Sequence, residues 1–350
     1  MMANDFFAAS LFQEEAVASL FSARTILNHA LAYEVAAAKA MASSGMIDRI
    51  HADAIVEKAA SFRPQLEKIA AGQLRDGVIV PEFVSQLRRH VAGEAAEFLH
   101  SGLTSQDVLD TALVLSFREA LTILEGRIAN VAKALDVLDQ QFGAASLMAR
   151  TRMQAAVPIT VHDRLSNWQR PLQRLKADLQ SHRENAFALQ FGGPVGTRNG
   201  FDGKEDVFAK ALAKELSLAD PGSAWHTDRV SFSRLAELVS HLTAQLGKIG
   251  QDVSLMAQQG VEEIRLGGGG GSSAMAHKKN PVKAELLIAL ARFNATQIAG
   301  VHHSLLHEQE RSGSAWMLEW MILPQMLCVA AKSLAVGEKL LLEVEAIGAE

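Results

Sequence analysis

The sequence predicts an all-α fold in which long helices form a bundle. Hydrophobic residues make up 49% of the 350-residue chain, and most of them are Ala and Leu, which favour helices. Tyr occurs once and Pro eight times, so both the aromatic residues that enrich β-sheets and the residue that breaks helices are sparse. Apolar residues also recur at helical spacing over several runs of more than twenty residues. Such a chain can bury a sizeable core, which disfavours disorder.

Charge and cysteine content exclude several classes of protein. The chain has 34 Lys and Arg residues against 39 Asp and Glu residues, and a net charge of −5 argues against a protein that coats nucleic acid. The single cysteine, Cys328, excludes an internal disulfide. Residues 1–23 contain no Lys or Arg and carry Asp5, Glu14 and Glu15, which is unlike a secretory signal. We therefore expect a cytoplasmic protein.

The N-terminal part of the chain predicts one long helix and two shorter ones. The long helix runs from Asn4 to Ala42 without a breaker and stops before Gly45. The shorter helices are predicted at about 51–71 and 81–93.

Five further helices are predicted after Thr104. The first of them carries Asp107 in its first turn, where an acidic residue suits the helix dipole, and persists to about Gln141. The others are predicted at about 159–189, at about 229–263, from Pro281 with Asn280 as N-cap, and at about 315–347. The pattern from Arg229 is long enough for a membrane span, but charged and polar side chains interrupt it, which predicts a bundle helix. These residues are Glu237, His241, Lys248 and Asp252.

The segment from Gly267 to Pro281 reads GGGGGSSAMAHKKNP and says most about function. Each glycine costs about 0.5–1 kcal/mol more than alanine to order, so five together favour a lid that closes over a ligand. A phosphate-binding loop is excluded because no Gly-Lys-Ser/Thr ends the run, and a plain linker does not explain the polar residues that follow. The hydroxyls of Ser272 and Ser273 near Lys278 suit proton transfer on an anionic substrate.

The segment from His100 to Asp107 reads HSGLTSQD and predicts a second polar site. Thr104 and Ser105 lie at the predicted start of a long helix, where free backbone N–H groups bind anions. An ordinary helix cap explains the same residues, and this segment alone does not decide between the two interpretations.

His303 and His307 lie four residues apart on a predicted helix, which is the spacing of a metal-binding pair. No H-E-x-x-H motif or cysteine pair completes such a site, so an exposed polar helix face is the favoured interpretation. Arg311 follows four residues later. We expect it to hold a substrate carboxylate through two parallel hydrogen bonds, with a surface salt bridge as the alternative.

These segments resemble the sequence motifs of the fumarase/aspartase superfamily, whose members add or remove a group beta to a carboxylate. Residues 271–281 are similar to its signature loop, G-S-S-x-M-P-x-K-x-N, with Ala276 where the pattern has proline. Residues 100–107 resemble its H-x-G-x-T-S-x-D region. Residues 150–160 resemble a region in which Gln-His precedes Pro-x-Thr.

That third region departs from the superfamily pattern at one position. Gln154 is followed by Ala155, where the superfamily places a histidine at or beside its acid/base centre. Alanine cannot transfer a proton, so the role of that histidine is either absent here or supplied by another residue.

Four further stretches are similar to the lactonising branch of the superfamily, which is related to adenylosuccinate lyase. They are residues 190–197, 225–229, 246–255 and 307–320. The likeness runs from Arg24 to about Leu334 and implies the superfamily's long helical bundle. We expect an N-terminal helical domain at 1–103 and a central bundle at 104–350. The C-terminal helical domain that members normally carry is expected to be shortened or absent.

The resemblance also implies a reaction and its residues. Members of this branch act on small polycarboxylates without a cofactor or metal, as homotetramers whose sites are shared between subunits, and need neither nucleic acid nor membrane. One substrate carboxylate adds to a double bond while the enzyme delivers a proton to the adjacent carbon, with Ser272 or its neighbour Ser273 as the expected proton-transfer residue. The expected substrate-binding residues are His100, Thr104, Ser105, Gln154, Trp225, His226, Lys278, Asn280 and Arg311.

Three alternatives remain open from the sequence. A lyase of the adenylosuccinate or argininosuccinate type, which releases fumarate, would share the same lid. A helical scaffold without catalytic activity explains the bundle but not the Ser-Ser loop. Trp225 and His226 suit a contact between helices as well as a role in a pocket.

Overall fold

The structure, a computed structural model, describes residues 7–271, 275 and 278–349 of the chain. Two short helices, α1 (Ala9–Phe12) and α2 (Glu15–Ala18), precede the first long helix, α3 (Ala23–Ser43). The prediction of one helix from Asn4 was therefore wrong. Ser22 has extended backbone angles and its hydroxyl accepts a hydrogen bond from the Thr25 N–H, so it caps a new helix instead of continuing an old one.

Three helices complete the N-terminal half: α4 (Arg49–Ser61), α5 (Leu66–Asp76) and α6 (Val80–Val91). The single helix predicted at about 51–71 is in fact α4 and α5, separated by an extended turn. Pro64 lies in this turn, and proline both lacks a backbone N–H and disfavours helical geometry in the residue before it. The prediction of a helix at about 81–93 is confirmed by α6.

The long helix predicted after Thr104 is confirmed by α7 (Ser105–Phe142). The next elements in chain order are β1 (Ser146–Thr151), β2 (Gln154–Thr160), α8 (Val161–Asn185), α9 (Glu205–Glu215), α10 (Val230–Met256), β3 (Ile264–Leu266), α11 (Val282–His303), α12 (Ser314–Leu342) and β4 (Val344–Ile347). Helices α7, α8, α10, α11 and α12 pack on one another as a bundle. The predicted all-helical architecture is confirmed, with two short two-stranded sheets added, of which β1–β2 is a hairpin.

Three predicted helices are shortened by these two sheets and the turns beside them. Antiparallel β1 and β2 place Ile159 in a strand, and β3 pairs with β4, so the last helix ends at Leu342 rather than near 347. Helix α10 stops at Met256, and the chain then turns through Gly260 at φ +83°, a conformation that glycine adopts without strain. Pro281, not Asn280, is the N-cap of α11, because Asn280 forms a β-bridge with Gly270.

Two hydrophobic clusters hold the described residues together. The larger is formed by the bundle helices, and the other by α3 to α6, α9 and the first turns of α7. Helix α12 is apolar and long enough to cross a membrane by length and composition, with a mean hydropathy of 1.4 over 18 residues. However, 67% of that stretch is buried inside the protein, as in the core helix of a bundle.

Candidate active site

The N-terminal end of α7 brings together six of the predicted site residues. Thr104 is the N-cap of this helix, and its backbone N–H and side chain form a capping box with Asp107. The guanidinium of Arg311 donates from Nε to Gln106 Oε1 at 3.0 Å, in the first turn of the same helix. His226 reaches the same turn through Asp107. The six residues are His100, Thr104, Ser105, Trp225, His226 and Arg311.

Asp107 holds two other chain segments against the start of α7 and also caps that helix. Its carboxylate accepts hydrogen bonds from the backbone N–H groups of Thr104, Gly192 and Gly193, at 2.8–3.0 Å, and lies 2.8 Å from His226 Nε2. Burial raises the pKa of Asp107, and the hydrogen bonds, led by the one from His226, oppose that rise. Gly192 has no room for a side chain, since a Cβ there would lie 2.7 Å from the His226 ring. The glycine-rich segment 191–200 is thereby held against α7.

Arg229 is the centre of a buried charge network beside Asp107. Its side chain is completely buried and donates to Asp110 at 2.7 and 3.0 Å and to Glu319 at 2.9 and 2.6 Å. Burial alone lowers the pKa of Arg229, but Asp110 and Glu319 outweigh it and hold the pKa above its usual value. Trp316 Nε1 and Gln106 Nε2 also donate to Asp110. Every oxygen of the two carboxylates is therefore hydrogen-bonded.

Arg311 is the half-buried cation that rests on this network. Besides its bond to Gln106, it donates from Nη2 to the carbonyl oxygen of Pro194 at 3.1 Å. Its remaining N–H groups have no hydrogen-bond partner among the described residues. An arginine oriented by two neutral acceptors keeps its full positive charge for a carboxylate.

His100 and Ser105 complete this group. His100 adopts φ +58°, and both its backbone N–H and its Nδ1 contact the buried carboxylate of Glu34, at 3.0 and 2.7 Å. Ser105 is the first residue of α7, where unpaired N–H groups and the helix dipole favour an anion. The N-terminus of α7 at Ser105 and the Arg311 guanidinium can together bind a carboxylate.

Trp225 lies at the side of this group and not in its middle. Its backbone N–H donates to Gln190 Oε1 and its indole N–H to the Leu189 carbonyl, both at 2.9 Å. Its ring stacks on the Arg229 guanidinium, 4.9 Å from the ring centroid. The structure thus places Trp225 and the 3%-exposed His226 where they hold other site residues in position.

The other three described site residues lie at the opposite end of the bundle. Gln154 is exposed at the turn of the β1–β2 hairpin, and Lys278 is exposed in the glycine-rich segment. Asn280 and Gly270 exchange backbone hydrogen bonds at 3.0 and 2.9 Å. An ion pair between Arg150 and Glu263, 2.7 Å long, connects the hairpin to the base of this segment. Ser272 and Ser273, the expected proton-transfer residues, lie outside the described residues.

The length of helix α10 gives the distance between the site residues at the α7 end and those at the opposite end of the bundle. The helix begins next to Arg229 and ends at Met256, seven residues before Glu263. At 1.5 Å per residue its 27 residues span about 40 Å. A small ligand bound at Arg311 is therefore out of reach of Gln154, Lys278 and Asn280 of the same chain.

Asp110, Arg229 and Glu319 were not among the site residues predicted from the sequence. Arg229 and Glu319 lie in the stretches 225–229 and 307–320 that resemble the superfamily, and Asp110 follows the stretch 100–107 by three residues, which was the available signal. His307 was also misplaced: it follows the end of α11, and its side chain is only 1% exposed, so the exposed helix face predicted for it was wrong. Within the described ranges, no three His, Cys, Asp or Glu side chains are grouped as a metal site requires.

Comparison with known proteins identifies relatives over nearly the whole chain. The family described as "Lyase" matches residues 12–300. The 3-carboxy-cis,cis-muconate cycloisomerase of Acinetobacter baylyi is 32% identical over 338 residues, which cover 93% of this chain and 74% of the relative. The enzyme of the same name from Pseudomonas aeruginosa is 35% identical over 355 residues, covering 98% and 76%. The crystal structure of 3-carboxy-cis,cis-muconate lactonizing enzyme from Pseudomonas putida superposes with a TM-score of 0.90 at 30% identity, covering 97% and 77%.

Proposed function

This chain belongs to the lyase family that contains the 3-carboxy-cis,cis-muconate cycloisomerases, and we propose that it converts 3-carboxy-cis,cis-muconate into a carboxymuconolactone. The observation that carries the proposal is the Arg311 site at the start of α7. It offers a cation held in place by two hydrogen bonds and a helix N-terminus. A small, multiply charged carboxylate fits this chemistry.

The reaction is an internal addition. A carboxylate oxygen of the substrate attacks one carbon of a double bond, a C–O bond forms, and the π electron pair of that double bond takes a proton at the adjacent carbon. Run backwards, the step removes a proton alpha to a carboxylate and expels the lactone oxygen. The reaction involves no oxidation or reduction. The enzyme has to supply a proton and to stabilise the negative charge that builds up on the carboxylate next to the protonated carbon.

In this proposal Arg311, Thr104 and Ser105 hold one substrate carboxylate. The guanidinium is kept in place by Gln106 and the Pro194 carbonyl, so its geometry is set before the substrate arrives. Ser272, or else Ser273, transfers the proton, with Lys278 near enough in sequence to stabilise an alkoxide and Asn280 at the end of the segment. Gln154 enters the same site from the hairpin, whose position 155 carries no proton-transfer group.

We propose a homotetramer whose sites combine residues from more than one chain. The support is the span of about 40 Å between Arg311 and the glycine-rich segment in a single chain. Exposed apolar side chains on the hairpin and on α12 also favour association: Met153 is 71% exposed, Val157 61% and Met321 64%. Sedimentation equilibrium tests this arrangement, and a monomer that keeps full activity contradicts it.

The function is tested by offering purified protein 3-carboxy-cis,cis-muconate and following the loss of its ultraviolet absorbance. A parallel assay for fumarate release from adenylosuccinate and argininosuccinate is the control. We expect consumption of the muconate and no fumarate. Fumarate release without lactonisation would replace this proposal with a lyase, and a folded protein inert in both assays would favour a scaffold.

A further inference from the structure

His307 is a buried titratable side chain for which the proposed reaction has no role. Its side chain is 1% exposed, and neither ring nitrogen has a hydrogen-bond partner in the described part of the chain. Leaving a buried polar group unpaired costs about 1–3 kcal/mol, so such groups are rare in folded proteins and need a reason.

A carboxylate of the site's charge network, that of Glu319, lies close to the His307 ring. The distance from His307 Nε2 to Glu319 Oε1 is 3.8 Å, which is too long for a hydrogen bond but short enough for electrostatic attraction. Glu319 Oε1 already accepts one bond, from Arg229 Nε at 2.9 Å. A carboxylate oxygen can accept a second donor, so a site for the imidazole N–H is open.

His307 and Arg311 lie on the same connecting segment, residues 304–313, between α11 and α12. All the backbone hydrogen bonds described for this segment are local, such as Arg311 N–H to the Glu308 carbonyl at 3.1 Å. Gln309, in its middle, adopts φ +47°, which is unusual for a residue other than glycine. The segment is thus held to the bundle through side chains, and it can shift as a unit without breaking backbone hydrogen bonds to other elements.

We propose that His307 is a positioning residue that pairs with Glu319 when Arg311 holds the substrate carboxylate. An inward shift of about 1 Å brings His307 Nε2–H within hydrogen-bond distance of Glu319 Oε1. Arg311 is then tied to the Arg229 network from both sides, through Gln106 and through the segment itself. The inference rests on the proposed function, because it takes Arg311 as the group that binds the substrate.

The variant His307→Phe distinguishes a positioning role of His307 from a purely structural role in the core. Phe keeps a ring of similar shape and removes two unpaired nitrogens, so a purely structural histidine predicts unchanged kinetics and equal or higher stability. A positioning role predicts that the KM for 3-carboxy-cis,cis-muconate rises about tenfold with little change in kcat, since Arg311 contacts substrate and transition state alike. His307→Gln, which can still donate to Glu319, should recover part of the loss.

His182→Phe is the matched control. His182 is also a buried imidazole with an unpaired Nε2. It packs edge-on against Phe187 and lines a cavity that includes neither Arg311 nor Glu319. We expect the control to leave KM unchanged. If His307→Phe leaves KM unchanged as well, or if both variants raise it equally, the positioning role is wrong.

A measurement that does not need turnover completes the test. Nitrogen-15 chemical shifts of the His307 ring, recorded with and without propane-1,2,3-tricarboxylate, report whether Nε2–H gains a hydrogen bond. We expect a shift on binding that is lost in Glu319→Gln. A ring that stays unbonded, or a tricarboxylate that does not bind, overturns the inference. Failure of the wild-type chain to consume the muconate instead overturns the proposed function, and the ring shifts still report on His307.

Discussion

The two ends of the bundle hold their site residues in opposite ways. At the α7 end, Asp107, Asp110 and Arg229 are almost completely buried and bonded to several chain segments. At the other end, Gln154 and Lys278 are exposed on a hairpin and in a glycine-rich segment. The difference indicates a division of labour. In the site that we propose, one end fixes the geometry of carboxylate binding, and the other presents groups that act on a ligand held by a second chain.

The largest effect is expected at the glycine-rich end. Replacing Ser272 by Ala should lower kcat about a thousandfold, because it removes the proton-transfer group from a step that depends on it. Ser273→Ala is the matched control, and circular dichroism should show the same helix content for both. Full activity in Ser272→Ala, with activity lost in Ser273→Ala, would assign the role to the neighbour.

The second largest effect is expected at the α7 end, on the stability of the protein when Arg229 is replaced. Arg229→Met should lower the free energy of unfolding by about 3–5 kcal/mol, because Asp110 and Glu319 would be left as buried charges without a counter-ion. Arg265→Met is the control, since Arg265 pairs with Glu345 on the surface and its removal should cost less than about 1 kcal/mol. Urea unfolding measures both. Similar losses in the two variants would mean that the buried network does not hold this end together.

A smaller effect, on the KM, is expected when the guanidinium of Arg311 is replaced by an ammonium group of the same charge. Arg311→Lys should raise the KM for the muconate roughly tenfold to a hundredfold, because an ammonium cannot bond Gln106, Pro194 and a carboxylate in the geometry of a guanidinium. Arg118→Lys, at a half-buried position of α7 where Arg118 donates to the Ser217 carbonyl, is the control. Equal KM values for the two variants would show that Arg311 does not bind the substrate.

The smallest effect is expected at His182 of α8, which lies near the start of α10. Burial lowers the pKa of His182 to about 4, with Arg234 adding to the shift, so the folded protein binds fewer protons there than the unfolded chain between pH 6.5 and 4. Stability from this residue is present above pH 6.5 and is lost as the pH falls through that window, by at most about 1.4 kcal/mol per pH unit. His182→Phe should flatten this part of the stability curve. An unchanged slope would contradict the buried neutral histidine.

Much of the fold followed from local sequence signals. The start of α7 was predicted from Thr104 and Asp107, because a capping box needs only residues three apart, and the helix continues to Phe142 as its apolar spacing indicated. The errors arose where a local competitor was overlooked: the Ser22 cap and Pro64 each interrupt a helical pattern. The two small sheets were missed because their strands are short and pair with partners that periodicity does not reveal.

Of the candidate site, the sequence determined which residues carry useful chemistry and that a carboxylate is a fitting ligand. The tertiary structure decided how they are arranged. The bonds of Arg229 to Asp110 and Glu319 join residues 119 and 90 positions apart, and the length of α10 keeps Lys278 away from Arg311. Caps and helix lengths depend on neighbours within one or two turns and can be read locally. Buried ion pairs and distances across a bundle exist only after the helices have packed, so no local pattern encodes them.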